Sequence, residues 1–200
     1  GDDKYNKSAD LRNRNLSFRS DIFEMNLCAE FNLFDPAIYY SYPYVFTGVG
    51  VFHFNPYAYD KDNKKTFLHP LSTEGQGLID YPERKEYSLT QFCVPFGFGW
   101  RIKKKRWEIG FEFGYSFLFT DYLDDISKTY PSLEALLAAR GPKAPEMSFR
   151  GLGGWVSNDA AIRGNSKVRD TYFFSGLRFA TTLGKNKKKT KKEKDDTKEK

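Results

Sequence analysis

Arg106-Trp-Glu-Ile-Gly-Phe-Glu-Phe-Gly-Tyr-Ser-Phe-Leu-Phe-Thr-Asp-Tyr-Leu-Asp-Asp-Ile-Ser127 alternates with a period of two over most of its length. Trp107, Ile109, Phe111, Phe113, Tyr115, Phe117 and Phe119 form one set. Glu108, Gly110, Glu112, Gly114, Ser116 and Thr120 form the other, with Leu118 the single apolar residue among them. Successive side chains of a strand point to opposite faces, so this period predicts a β-strand. One face is almost wholly aromatic and the other is small or acidic. A soluble protein buries such a face against a second sheet. A transmembrane barrel turns it to lipid and keeps the polar set inside.

The pattern recurs along the chain. From Asp21 to Phe34, Phe23, Met25, Leu27, Ala29, Phe31 and Leu33 alternate with Glu24, Asn26, Cys28, Glu30 and Asn32. A second strand is expected from Tyr42 to Asn55, where Tyr44, Phe46, Phe52 and Phe54 oppose Val45, Val49 and Val51, and either set fits the outside. A third runs from Tyr87 to Ile102, with Phe92, Phe96, Phe98 and Trp100 opposite Gln91, Cys93, Gly97, Gly99 and Arg101. The last spans Asp170 to Leu183 and carries Arg178 on its polar face.

Connections alternate in length. Asp35–Tyr40 and Lys103–Lys105 are short; Pro56–Glu86 and Leu123–Arg169 are long. Long loops without a period are uncommon in compact soluble domains. Short turns on one side and long loops on the other are the habit of outer-membrane barrels. In that reading the short turns are periplasmic, residues 1–15 form a polar outer loop, and the last strand runs inward. Five strands are visible, whereas such a barrel takes an even number. Three further strands are expected ahead of Gly1, closing a barrel of about eight. Within the second long loop, Pro131 to Arg140 reads as a helix with proline at its start and Gly141-Pro142 at its end. Gly151 to Gly164 is glycine-rich and loop-like.

Composition is compatible with this all-β, antiparallel, up-and-down barrel. Aromatics are 18% of 200 residues, and no apolar run approaches the roughly 20 residues of a spanning helix. Residues 185–200 hold nine lysines and four acids of the 32 basic and 26 acidic residues in the chain. The remaining 23 basic and 22 acidic residues leave residues 1–184, the barrel domain, nearly neutral, which gives no basic groove for nucleic acid. The tail itself has a disordered composition and would lie in the periplasm.

The segments Gly48-Val-Gly-Val-Phe-His-Phe-Asn-Pro56, Gly110 to Ser127 and Arg163-Gly-Asn165 resemble the PorG-like outer-membrane barrels of Bacteroidetes-type bacteria. The likeness covers roughly Leu16 to Leu183 and is most specific at Phe119-Thr-Asp-Tyr-Leu-Asp-Asp-Ile126. It implies an outer-membrane location, a barrel of about eight strands, and a place in type IX protein secretion and gliding. It also implies partners, a periplasmic ring of PorK-like lipoprotein and PorN-like subunits.

The candidate site residues follow from the faces. Trp107, Ile109, Phe111, Phe113, Tyr115, Phe117, Phe92, Phe96, Phe98 and Trp100 are expected to face lipid, with Trp100, Trp107 and Tyr115 as interfacial girdle residues. Glu24, Glu30, Glu108, Glu112, Arg101 and Arg178 are expected in the lumen, where paired charges fill a narrow barrel. Asp121, Tyr122, Asp124 and Asp125 stand at a strand end, where they either order the loop by backbone hydrogen bonds or meet a partner. Asp60-Lys61-Asp62-Asn63 has only a faint calcium-loop look, because lysines follow and no Gly or Glu completes it. His53 and His69 have no nucleophile beside them, and Cys28 and Cys93 lie on strands that are not adjacent. No cofactor and no catalytic centre are expected. The functional reading is a non-enzymatic anchor or scaffold of an envelope assembly. The alternative is a small ligand-binding barrel or narrow pore, OmpA-like or lipocalin-like.

Overall fold

The structure, a computed structural model, describes residues 1–152 and 161–181. The Lys-rich tail, the expected end of the last strand at 182–183 and the centre of the 151–164 segment lie outside the described residues.

The strands are β1 (Arg19–Asn32), β2 (Ser41–Tyr59), β3 (Lys65–Phe67), β4 (Thr90–Lys104), β5 (Trp107–Leu118) and β6 (Thr171–Thr181). They form one sheet in the order β1-β2-β4-β5-β6, antiparallel throughout, with the short β3 paired to the end of β2. The fold is therefore mostly antiparallel β. The sheet curls into a half-barrel, so that side chains of β6 reach those of β1 across the concave side. No helix among the described residues is long and apolar enough to cross a membrane.

The convex face carries the aromatic set of every strand but β2. Phe92 is 69% exposed, and Phe111, mid-sheet, is 47% exposed. Phe113 and Tyr115 are half-buried, but only by neighbours on the same face. Phe113 stacks between Phe98 and Phe173, and Tyr115 lies beside Phe96 and Phe117. These are pairs within one surface, all but Tyr115–Phe117 between strands, not contacts with a second layer.

On β2 the choice between the two sets is settled by glycine. Its aromatics point inward, with Tyr42, Tyr44, Phe46, Phe52 and Phe54 buried, while Val49 is exposed. Gly99 on β4 makes room for Tyr44: a Cβ there would stand 2.3 Å from the Tyr44 ring. Gly114 on β5 does the same for Phe174, at 2.2 Å. The small residues of the polar face are thus sockets for rings from other strands. Leu118, out of step in the sequence, also points inward and joins Phe52, Phe54, Tyr87, Cys93 and Leu123 in a core cluster. Pro95 lacks an N–H, and the β2–β4 ladder is interrupted opposite it, between Thr47 and Gly50. The Thr47 hydroxyl donates to the Pro95 carbonyl at 3.1 Å instead.

The two ends of the sheet differ. At one end lie the short turns after β1 and β4. At the other, the long loops fold into a cap that contains more regular structure than their sequence implies. Residues 1–15, expected as an open loop, form a 3-10 turn (Asp3–Tyr5) and α1 (Ala9–Arg14). Arg14 pairs with Asp3 at 2.7 Å, and Asn13 accepts the Leu152 amide. The expected helix is α2 (Leu133–Arg140). The Ser132 hydroxyl accepts the Ala135 amide, and Gly141 ends the helix at φ +76°. A further helix, α3 (Lys143–Ser148), follows directly, beyond the Gly-Pro pair expected to end regular structure. Two small apolar clusters tie this cap together: Ala58, Leu68 and Met147, and Leu78, Leu136 and Ala144.

Candidate functional site

The concave face gathers all six charged residues expected to share an interior. Arg101 on β4 reaches Glu30 on β1 at 2.6 Å and Glu108 on β5 at 3.5 Å. Arg178 on β6 reaches Glu30 at 2.5 Å and Glu112 at 3.5 Å. Glu112 also accepts the Tyr44 hydroxyl, and Glu108 the Tyr42 hydroxyl at 3.5 Å. The sixth, Glu24, accepts from Tyr172, from Ser116 at 3.3 Å and from the Cys93 thiol at 3.5 Å. Every carboxylate therefore has at least one donor from another strand. Buried ions that lack partners cost several kcal/mol, and here two arginines and three tyrosines answer four glutamates. Arg101 lies over the Tyr44 ring at 3.8 Å, which adds a cation–π contact. Cys28 and Cys93 are free thiols. They sit opposite Gly48 and Gly50, on strands either side of β2.

The second polar site lies in the cap. Glu74, Asp125 and Arg163 are all buried, the two acids completely. Glu74 accepts Arg163 Nη1 at 3.1 Å and the Ser127 and Lys128 amides at 2.9 and 2.8 Å. Asp125 accepts the Tyr87 hydroxyl at 2.7 Å and the Thr73 hydroxyl, and faces Arg163 Nη2 at 3.7 Å. Arg163 also donates to the Asp125 carbonyl. One clasp thus joins the loop after β3 to both halves of the loop after β5. Gly164 is required beside it, because a Cβ would stand 2.6 Å from the Ser127 nitrogen. Burial lifts the Asp125 carboxyl, against the opposing pull of Arg163, Thr73 and Tyr87. Burial and the adjacent Asp125 carboxylate also push the Tyr87 phenol up.

Beside the clasp is a cavity of ≈ 1090 Å³ between α1 and the loop after β5. Asp121, Asp124, Asp170 and Arg163 line it together with Leu11, Ile126, Tyr130 and Phe149. Burial raises Asp121 to about 6, with Asp170 and Glu74 adding to the effect. It raises Asp124 to about 7, with Asp170 again adding. The Asp124 carboxylate accepts the Ile126 amide at 2.9 Å, and Asp170 accepts the Leu123 amide at 2.8 Å. Of the four residues considered for a partner contact, Asp125 is wholly enclosed, and Tyr122 stacks on Tyr87 at 4.6 Å. Asp121 and Asp124 face the cavity. Sequence reasoning missed Glu74 and Thr73, which sit in an apparently featureless loop. Arg163-Gly164 did stand out, within the Arg-Gly-Asn stretch.

The remaining expected residues are engaged locally. Asp60 accepts the Asp62 and Lys64 amides at 3.0 and 2.8 Å and pairs with Lys143 at 3.0 Å. The Asp60 carboxyl is thus engaged by two backbone amides and an ammonium. The Lys64 amide and the Lys143 ammonium hold its carboxyl below the ordinary range. His53 meets the Thr90 hydroxyl at 3.0 Å, and His69 the Tyr87 carbonyl at 2.9 Å. Among the described residues, no group of three or more His, Cys, Asp or Glu is placed to hold a metal ion. No protein-family model, curated protein or solved structure matches the chain.

Proposed function

We propose that this chain forms the wall and outer cap of a PorG-like β-barrel in the bacterial outer membrane. There it serves without catalysis as an anchor or scaffold of an envelope assembly, of the type IX secretion kind. The observation that carries the reading is the inversion of the half-barrel: rings exposed on the convex face, paired ions and hydroxyls on the concave face. In water that arrangement leaves a large apolar surface wet; in a bilayer both faces are satisfied. Strand direction supports closure into a barrel. Four successive antiparallel pairings leave β1 and β6 running the same way. An odd number of further strands therefore completes an antiparallel ring, and three make eight. Crowding of Tyr44, Phe52 and Phe54 on the concave side, all fully buried, favours a filled interior over a pore. Periplasmic ring subunits of the PorK and PorN kind would meet the short-turn end.

The test is depth-resolved fluorescence. The protein with all the strands that close the ring, carrying Trp100 and Trp107 as its only tryptophans, is refolded into phosphatidylcholine vesicles with bromine at defined acyl positions. Trp100 and Trp107 are expected to be quenched by bromine near the headgroup. A chain that folds in plain buffer and whose tryptophans ignore bromolipid would overturn the membrane reading. The scaffold role is tested separately, by cross-linking in native envelopes: capture of periplasmic ring proteins supports it, and capture of none removes it.

A further inference from the structure

The short-turn end carries chemistry that neither the interior nor the cap uses. Lys103, Lys104, Lys105 and Arg106 are consecutive, all exposed, and none is in an ion pair among the described residues. The turn after β1 stands beside them, since the Lys103 amide donates to the Tyr40 carbonyl at 2.7 Å. That turn is unusually apolar for a turn. Ile38 is 73% exposed and Tyr40 74%. Its single acid, Asp35, accepts the Ala37 amide at 2.8 Å. The convex apolar band runs straight into this rim through Ile102 and Trp107.

From band to rim, the order is apolar side chains, then amphipathic rings, then cations with no ion-pair partner among the described residues, Arg106 lying over the Trp107 ring at 5.7 Å. We infer that this rim binds the phosphates of anionic phospholipid headgroups in the leaflet at the short-turn side, with Lys103, Lys104, Lys105 and Arg106 as the cationic contacts. The inference rests on the membrane reading and adds to it which lipid class the protein gathers. Three features favour lipid over an acidic protein surface. Lys104, in register with Trp107, and the turn residues Lys105 and Arg106 continue an apolar band that a bilayer core would cover, while the exposed Lys103 stands at the same rim in register with Glu108. The rings between them have the amphipathic form that settles at headgroup depth. Four adjacent flexible or forked donors suit mobile phosphates without a shaped pocket.

Trp107 adjoins the cations and reports on its lipid neighbours. The protein with all the strands that close the ring, carrying Trp107 as its only tryptophan, is placed in mixed vesicles in which either the phosphatidylglycerol or the phosphatidylcholine is brominated, at equal mole fraction. Brominated phosphatidylglycerol is expected to quench Trp107 more strongly. Local enrichment approaches about fivefold for each cation in full contact, equivalent to about 1 kcal/mol per charge. It falls at high salt. In the chain that also carries K103Q, K104Q, K105Q and R106Q, the two quenchers are expected to act equally. Equal quenching in the unsubstituted rim overturns the inference while leaving the membrane reading standing. Enrichment that survives the four substitutions also overturns it, and assigns recruitment to the Lys185–Lys200 tail. Failure of both quenchers refutes the membrane reading itself.

Discussion

Replacing Arg163 by methionine removes the one cation among the described residues that holds two completely buried carboxylates. The guanidinium meets Glu74 at 3.1 Å and Asp125 at 3.7 Å, and donates to the Asp125 carbonyl. Methionine keeps most of the length and none of the charge. Breaking a buried pair by removing one partner costs about 3–5 kcal/mol, because an uncompensated charge stays behind. Here two acids share the loss, and protonation of Asp125, already raised by burial, offsets part of it. The lower half of the range, about 3 kcal/mol, is therefore expected near neutral pH.

The loss should be local. Glu74 orders the loop after β5 by accepting the Ser127 and Lys128 amides, whereas the wall is held by its own ladders and by the concave pairs. Amide exchange at Ser127 and Lys128 should accelerate about 150-fold, the equivalent of 3 kcal/mol. Amides in the middle of β4 and β5 should not change. Adding E74Q and D125N to R163M removes the stranded charges, and the triple variant should recover at least about 1.5 kcal/mol of the loss. Two results would refute the reasoning: unchanged exchange at Ser127 and Lys128 in R163M, or a triple variant no more stable than the single one.

The other predictions address the wall, the interior and the pH response. Phe111→Arg should cost about 2–4 kcal/mol of folding free energy in vesicles if the convex face meets hydrocarbon. The same change at a half-exposed position of a water-soluble sheet should cost under about 1 kcal/mol, so denaturant titration in bilayers separates the two. Gly97→Val should cost roughly 1–3 kcal/mol in the same titration, since a Cβ at Gly97 would stand 2.3 Å from the Phe113 carbonyl and 2.5 Å from the Phe46 ring. Asp124 titrates near 7 in the folded protein against an ordinary value of 3.8, so the folded state binds the extra proton between those values. Its contribution to stability is fully present below about pH 4 and is lost as pH rises through 7. D124N should flatten that slope and stabilise the cap at pH 8 by on the order of 2 kcal/mol, read as loop amide exchange against pH.

The wall was legible because every second residue had to satisfy one environment. In β1, β4 and β5 one set is mostly apolar and the other polar or small, so period and face could both be assigned, whereas in β6 Phe174 and Tyr172 share the inward face with Arg178. β2 defeated the second step, since both of its sets are apolar. The deciding information lies in another strand, in Gly97 and Gly99 of β4, whose missing side chains accept Phe46 and Tyr44. The cap was largely illegible for a related reason. Its buried members are Glu74, Thr73, Gln76, Asp125 and Arg163, and a polar residue in a loop carries no sequence mark of burial. Their burial depends on pairing across separations such as Glu74 to Arg163, which no local period records. α3 was hidden by Pro142 and Pro145, although proline is tolerated in a first turn, where the amide has no partner to lose.

Wall and cap also solve opposite solvation problems. In the wall, Glu30 on β1 is paired with Arg101 on β4 and with Arg178 on β6, strands that are not its neighbours in the sheet. Such pairs form only when the sheet curls, so curvature and charge satisfaction require each other. In the cap, water is available outside, yet three charges are enclosed. Enclosing them does not increase stability over an apolar filling, but it orders two loops that have little apolar surface of their own. Glu74 fixes Ser127 and Lys128, Asp125 fixes Thr73 and Tyr87, and Tyr87 stacks on both Phe54 of β2 and Tyr122. The chain of contacts runs from the wall through one tyrosine into the clasp. The described part of the cap, ordered in this way, presents one fixed surface rather than an ensemble of loops, as the proposed scaffold role requires.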